Sequence, residues 1–137
     1  MRRIIPIIIL FATLTSCREP MSTETFIPGN GPFRFKVDMT DSLAVYDFDF
    51  YTRVDAAPEE CPDSLELKIR WVSPQEEEFR EIVYLPLHSG GVYEPYRADS
   101  VPSVSGEWTL IVATPSAEAV KGFRGLGLVT KKRHGTR

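Results

Sequence analysis

The chain has 137 residues, which is enough for one small domain, and its 16 basic residues face 19 acidic ones. Cleavage at the site described below would remove two arginines and leave 14 basic against 19 acidic side chains, a formal charge of −5. No basic face is evident to offset phosphate charge, so the composition argues against nucleic acid as a partner. Two histidines are also too few to favour a histidine-based zinc site.

Residues 1–16 have the organisation of a bacterial lipoprotein signal peptide. Arg2 and Arg3 precede the apolar segment Ile4–Leu14, which runs through two small residues into a lipobox-like ending at Cys17. The competing interpretations are a transmembrane anchor and a chance apolar stretch. A spanning helix needs about 20 apolar residues, whereas Ile4–Leu14 supplies eleven. We therefore expect Cys17 to be acylated and to attach the mature protein to a lipid bilayer.

Segment 17–31 is polar, contains proline and glycine, and shows no hydrophobic periodicity. This composition predicts a flexible tether between the lipid and a folded domain. Aspartate does not follow Cys17, so the familiar inner-membrane retention signal is absent, and no acidic cluster follows to mark export to the surface. We expect the protein at the periplasmic face of the outer membrane, with the cell surface as the alternative.

Apolar residues recur with a period of two in segment 32–130, as in Phe33–Met39, which is typical of half-buried strands. Turn residues separate the apolar segments and no long helical pattern occurs. We therefore predict an all-β domain, an antiparallel β-sandwich of jelly-roll or immunoglobulin-like type with about seven strands. Trp71 and Trp108 alternate with polar residues and should face its core. The predicted strands span residues 33–39, 46–54, 65–71, 79–87, 91–97, 107–114 and 123–130.

Several segments could be interpreted as functional sites, but each also has a simpler structural interpretation. Gly122–Gly127 lies in an apolar, strand-like segment, whereas a dinucleotide loop must follow a strand and open a helix. Asp47 and Asp49 share one strand face, where such a pair usually serves solubility. Segment 131–137 is a basic tail, which we interpret as a disordered terminus. The functional alternative is that this tail binds anionic lipid or glycan surfaces. Cys61 is interpreted as a tolerated loop cysteine. We predict no catalytic residue, no cofactor and no metal site.

Tyr93, Tyr96 and Arg97 lie in one short segment with Pro95, which confines that segment to an edge strand or a loop. Tyrosine and arginine are frequent binding anchors in protein interfaces, and Arg53 would join them if its strand lies alongside. We therefore predict that Tyr93, Tyr96, Arg97 and Arg53 belong to a partner-facing edge. The alternative is an edge strand in which Tyr93 is packed and Arg97 is solvated.

A series of short segments follows one order along the chain: Cys17 in the lipobox, FRFKV (33–37), YDF (46–48) with Arg53, LEL (65–67), GEWTL (106–110) and GFRGLGL (122–128). This order resembles the GldH-type gliding-motility lipoproteins of Bacteroidota. The resemblance implies a non-enzymatic lipoprotein of the cell envelope, and it assigns no catalytic residue.

Location, fold and resemblance together predict a structural or interaction component of an outer-membrane machine, with envelope proteins as its partners. The alternative is a carbohydrate- or peptidoglycan-binding module, which needs aromatic rings on one exposed face. Three coplanar rings would favour the module, whereas packed or scattered rings would disfavour it. The candidate rings are those of Tyr51, Trp71, Tyr84, Tyr93 and Tyr96.

Overall fold

The computed structural model describes residues 21–87 and 92–134, and in them two four-stranded antiparallel sheets face each other. The predicted all-β sandwich is thereby confirmed, whereas the predicted signal peptide 1–16 and Cys17 lie outside the described residues. The strands are β1 (Met21–Pro28), β2 (Phe33–Met39), β3 (Ala44–Val54), β4 (Ser64–Val72), β5 (Glu78–Pro86), β6 (Glu94–Ser100), β7 (Gly106–Ala113) and β8 (Phe123–His134). Sheet A has the strand order β1-β8-β3-β6, and sheet B has the order β2-β7-β4-β5.

The core lies between the sheets, because every second side chain of each inner strand points inward. In β2 the four apolar residues of Phe33–Met39 are buried and the three between them are exposed. Trp71 and Trp108 are only 7% and 5% exposed, and their rings meet edge to face at 6.1 Å. The prediction that both tryptophans face the core is therefore confirmed.

The predicted flexible tether 17–31 is wrong for residues 21–28, which form strand β1. This strand pairs with β8 along its whole length, from Met21 opposite Lys132 to Pro28 opposite Gly125. Pairing with β1 satisfies the backbone groups of β8 on that side, and Ile27 packs against the core. The polar composition of β1 reflects its position, because an edge strand needs few inward apolar side chains.

The predicted basic tail 131–137 is likewise wrong for residues 131–134, which are the last residues of β8. There β8 continues its pairing with β3, so that His134 lies opposite Ala44. The basic side chains pair with the acidic residues of β3 and of the turn before it, so these charges neutralise each other. The contacts are Lys131 Nζ to Asp49 at 3.4 Å, Lys132 Nζ to Asp41 at 3.2 Å and Arg133 Nε to Asp47 at 3.2 Å.

Strand β5 is one edge of sheet B and β6 is one edge of sheet A, and side chains from these two strands contact each other. We call this side of the sandwich, comprising β5, β6 and residues 101–103, the open side. Pro95 lies in β6, which confirms that its segment is an edge strand. In the described part of the chain, no helix is long and apolar enough to cross a membrane.

Candidate functional site

A β-bulge in β6 aims two of the predicted partner-facing residues at sheet B. Arg97 lies opposite Phe48 of β3 and Pro95 lies opposite Asp49, so that Tyr96 is an extra residue between them. Such a bulge re-aims neighbouring side chains and ends the strict alternation of faces. As a result, both Tyr96 and Arg97 reach Glu81, although consecutive residues of a regular strand point to opposite faces.

Glu81 is the centre of a hydrogen-bonded cluster that joins the edges of the two sheets. The Tyr96 hydroxyl donates to Glu81 Oε2, and Arg97 Nη2 donates to the same oxygen at 2.7 Å. Trp71 Nε1 in turn donates to the Tyr96 hydroxyl at 3.0 Å. The Tyr96 ring packs on Phe50 with a centroid distance of 4.9 Å. We call Trp71, Glu81, Tyr96 and Arg97 the inter-sheet cluster.

In the inter-sheet cluster, the hydrogen bonds favour a charged Glu81 carboxylate and a protonated Tyr96 hydroxyl. Burial alone would raise the pKa of Glu81, but the hydrogen bonds from Tyr96 and Arg97 outweigh it and leave that pKa lowered. Burial, and then the bond to Glu81, raise the pKa of Tyr96 to about 12. Glu81 is therefore ionised and Tyr96 neutral across the neutral pH range, which favours a structural pairing over proton transfer.

The other two predicted residues, Arg53 and Tyr93, lie on the outer face of sheet A. Tyr51 of β3 projects from this face, and its ring contacts Tyr93 edge to face at 5.0 Å and Phe26 of β1 at 6.0 Å. Glu24 accepts hydrogen bonds from the hydroxyls of Tyr51 at 2.8 Å and Tyr93 at 3.1 Å. The Arg53 guanidinium lies 4.7 Å from the Phe26 ring centroid, a cation–π distance.

A cleft of about 480 Å³ opens on the open side, next to the inter-sheet cluster. It is lined by residues 97–103 and by apolar side chains, which are those of Met39, Phe48, Trp71, Phe79 and Trp108. Phe79 is 50% exposed and stacks on Trp108 with a centroid distance of 6.0 Å. The volume is in the range of small-ligand sites, and the lining has their usual apolar and aromatic character.

The four predicted partner-facing residues thus form two groups. Strand β3 lies beside β6, as the prediction for Arg53 required. Arg53 and Tyr93 belong to one cluster on the outer face of sheet A, in which Arg53 contacts Phe26 and Tyr93 contacts Tyr51. Tyr96 instead turns inward and packs against the core, so that it offers little surface to a partner, while Arg97 stays half exposed at the cleft.

The sequence interpretation missed Glu24 and Phe26, because it assigned them to the tether. The alternation of Thr23, Thr25 and Ile27 is the signal that would have indicated a strand there. Glu81 and Phe79 gave no comparable signal, because the sequence does not reveal which edge of sheet B faces β6.

The aromatic rings proposed for sugar binding are scattered. Tyr51 and Tyr93 lie on the outer face of sheet A, Tyr84 lies on the outer face of sheet B, and Trp71 and Tyr96 lie between the sheets. No three of them form a platform, which removes the arrangement expected of the carbohydrate-binding module.

Two further features bear on chemistry. Cys61 is half buried as a free thiol packed against the core, and Gly122–Gly127 leads into and begins β8 rather than opening a helix. Among residues 21–87 and 92–134, no three His, Cys, Asp or Glu side chains are grouped so that they could hold a metal ion. Comparison of the chain with protein-family models and with curated proteins found no match in either case.

Proposed function

We propose that this protein is a non-enzymatic, lipid-anchored interaction component of the bacterial envelope, as the resemblance to GldH-type lipoproteins implies. Acylated Cys17 holds it at the periplasmic face of the outer membrane, and the open side of the sandwich receives a protein partner. The resemblance and the signal-peptide pattern support the location, and the distribution of exposed apolar residues supports the binding surface.

The observation that carries the proposal is the distribution of exposed apolar side chains. Among the described residues, eight large hydrophobic residues are at least half exposed, and six of these belong to β5 or flank β6. Of these six, Phe79 and Val101 line the cleft, Ile82 and Tyr84 project from the outer face of sheet B, and Tyr93 lies on the outer face of sheet A. Exposed apolar side chains around two edge strands are typical of an interaction surface. The six residues are Phe79, Ile82, Tyr84, Val92, Tyr93 and Val101, and the other two are Met21 and Leu43.

The start of β1 sets how far the domain stands from its anchor. Met21 follows Cys17 by only four residues, and four residues span at most about 14 Å. An acylated Cys17 would therefore hold the sandwich close to the bilayer, where it can join a membrane-bound assembly.

The test compares two double variants in whole-cell crosslinking followed by pull-down. Phe79→Ser with Val101→Ser removes two exposed apolar groups from the open side. Met21→Ser with Leu43→Ser removes two apolar groups elsewhere that are at least as exposed. We expect the first pair to lose partner recovery and the second to keep it, with both melting near the parent. Equal recovery from both pairs would contradict the assignment of the open side.

The same preparations test the anchor. Cys17→Ser should abolish palmitate labelling and leave the protein uncleaved or soluble on fractionation. Equal labelling of parent and Cys17→Ser would contradict the lipoprotein assignment.

The cleft supports a second candidate function, the binding of a carbohydrate or peptidoglycan fragment. The rings singled out from the sequence form no platform, but Phe79, which is 50% exposed, provides an aromatic ring in the cleft, and Arg97 and Asp99 provide polar groups beside it. Retention on an insoluble-peptidoglycan column that is lost in Phe79→Ser with Val101→Ser would favour this function. Loss of protein crosslinks without any such retention would favour the first.

A further inference from the structure

A row of arginines crosses the outer face of sheet B. Arg34 of β2 lies opposite Ile111 of β7, Ile111 lies opposite Arg70 of β4, and Arg70 lies opposite Arg80 of β5. Lys68 occupies the next row, two residues from Arg70 on the same face. Neighbouring strands lie about 4.8 Å apart. Four cationic side chains therefore stand close together on one surface, which we call the cationic face.

The row is electrostatically unfavourable for the folded domain taken alone. Like charges directly opposite each other on paired strands destabilise a sheet, and Arg70 and Arg80 are such a pair. Glu78 contacts both, at 3.3 Å and 2.9 Å. Within the described part of the chain, no carboxylate pairs with Arg34 or Lys68. The cationic face therefore holds four cations against two carboxylates, Glu78 and Glu66, which lies two residues from Lys68 on the same face. A surplus of positive charge remains, in a chain whose overall charge is negative.

The cationic face also carries a groove in which cationic and apolar side chains are mixed. The groove has a volume of about 780 Å³, and its lining includes the four cations, the aliphatic side chains of Ile82 and Ile111, and one acid, Glu81, which is paired with Arg97. Ile82 and Tyr84 project from the β5 end of this face and are 53% and 66% exposed. Cations interleaved with aliphatic side chains and a tyrosine suit the interface of a bilayer, where the charges meet phosphate and the apolar groups meet the acyl boundary.

The position of the anchor points to the bilayer as the occupant. Met21 and Lys36 line the same small cavity of about 100 Å³, so the chain enters the domain beside β2. Lys36 is two residues from Arg34 on the same face of that strand, a separation of about 7 Å. With at most about 14 Å between Cys17 and Met21, the lipid attaches at the border of the cationic face.

The opposite face offers no such surplus of positive charge. On the outer face of sheet A, Arg133 contacts Asp47 and Asp99, and Lys131 contacts Asp49. Carboxylates there match the cations, so an anionic surface would gain little by approaching it.

We infer that the cationic face rests on the anionic lipid surface to which Cys17 is anchored, with Arg34, Lys68, Arg70 and Arg80 contacting lipid phosphates. This inference rests on the proposed lipid anchor. It adds an orientation: the outer face of sheet B, with Ile82 and Tyr84 of β5, lies against the bilayer. The cleft with Phe79 and Val101 remains beside the membrane, accessible to a partner.

The experiment is lysine footprinting of the full chain extracted from bacterial membranes and reconstituted in vesicles. The vesicles contain phosphatidylcholine alone or phosphatidylcholine with phosphatidylglycerol, and a membrane-impermeant amine reagent labels the lysines for mass spectrometry. Lys121 serves as the internal control, because it is 78% exposed and lies beyond the end of the sheets farthest from Met21. We expect labelling of Lys68 relative to Lys121 to fall severalfold when phosphatidylglycerol is present, and high salt to restore it.

A matched pair of variants tests the arginines. Arg34→Gln with Arg80→Gln should abolish the protection of Lys68, whereas Arg53→Gln with Arg124→Gln, which removes two arginines elsewhere, should preserve it. Equal labelling of Lys68 in both kinds of vesicle would overturn the inference. The intact mass reports acylation of Cys17 separately. An acylated protein with unprotected Lys68 refutes the docking alone, and an unacylated protein with protected Lys68 refutes the anchor alone.

Discussion

Tyr96→Phe tests whether the inter-sheet cluster holds the two sheet edges together. The substitution keeps the ring on Phe50 and removes one oxygen, on which two hydrogen bonds depend. Trp71 Nε1 loses its acceptor in a residue that is 7% exposed, at a cost of about 1–3 kcal/mol for an unsatisfied buried donor. Glu81 keeps Arg97 and is partly exposed, so water replaces the lost donor at small cost.

The expected total is a loss of about 2–3 kcal/mol in the free energy of unfolding, or a fall in Tm of roughly 8–12 °C for a domain of this size. Urea denaturation followed by tryptophan fluorescence measures it directly. Tyr84→Phe is the matched control, because Tyr84 is 66% exposed, and it should change the stability by less than about 0.5 kcal/mol.

The pH dependence provides a second readout. The lowered pKa of Glu81 means that its stabilisation is present above the unfolded-state pKa of about 4.3 and is lost as pH falls through the folded-state value. Without the Tyr96 donor, this acid loss should shrink. If Tyr96→Phe matches the parent at pH 7 while Tyr96→Ala is strongly destabilised, ring packing alone acts at this site and the hydrogen-bond argument is refuted.

Two other substitutions test the outer face of sheet A. A Cβ on Gly127 would lie 2.1 Å from Cζ of Tyr51, so Gly127→Ala should displace that ring and lower the free energy of unfolding by roughly 2–3 kcal/mol. The same change in a Tyr51→Ala background should cost far less. Equal losses in both backgrounds would contradict the close packing of Tyr51 on Gly127. The hydrogen bonds from Arg133 and the Asp99 N–H lower the pKa of Asp47, so its stabilisation is lost as pH falls below the unfolded-state value of about 3.9. Asp47→Asn should therefore reduce the difference in urea midpoint between pH 7 and pH 3, and an unchanged difference would contradict this role of the pair.

Most of the strands that the sequence predicted correctly share one property. They contain apolar side chains at every second position, as in Phe33–Met39, because one face is buried and the other is exposed to solvent. Strand β6 lacks this pattern and was placed at an edge through Pro95. Strand β1 lacks this pattern, since its pairing with β8 requires backbone groups rather than apolar side chains, and backbone hydrogen bonds leave no mark on composition.

The ion-pair partners of charged residues are likewise not predictable from local sequence. Asp47 and Asp49 were interpreted as solvated residues and segment 131–137 as a basic tail, yet Asp47 pairs with Arg133 and Asp49 with Lys131. The partners are more than 80 residues apart in the chain. Only the alignment of β3 with β8 decides that they meet.

The predicted partner-facing residues form two groups because their placement depends on strand register. Local sequence places Tyr96 and Arg97 on an edge strand through Pro95, and β6 is that edge. The bulge that turns Tyr96 towards Glu81 depends on the register against β3, which local sequence does not encode.

The sequence by itself thus determined the all-β class and the buried faces, because burial imposes a short-range period on the side chains. It also indicated the edge position of β6, because Pro95 has no N–H to donate to a neighbouring strand. The signal-peptide pattern ending at Cys17 is likewise a property of local order along the chain. Only the tertiary structure decided which strands are neighbours, and with them the inter-sheet cluster, the cleft and the cationic face. Each of these surfaces combines residues from several strands, and strand order follows from long-range packing.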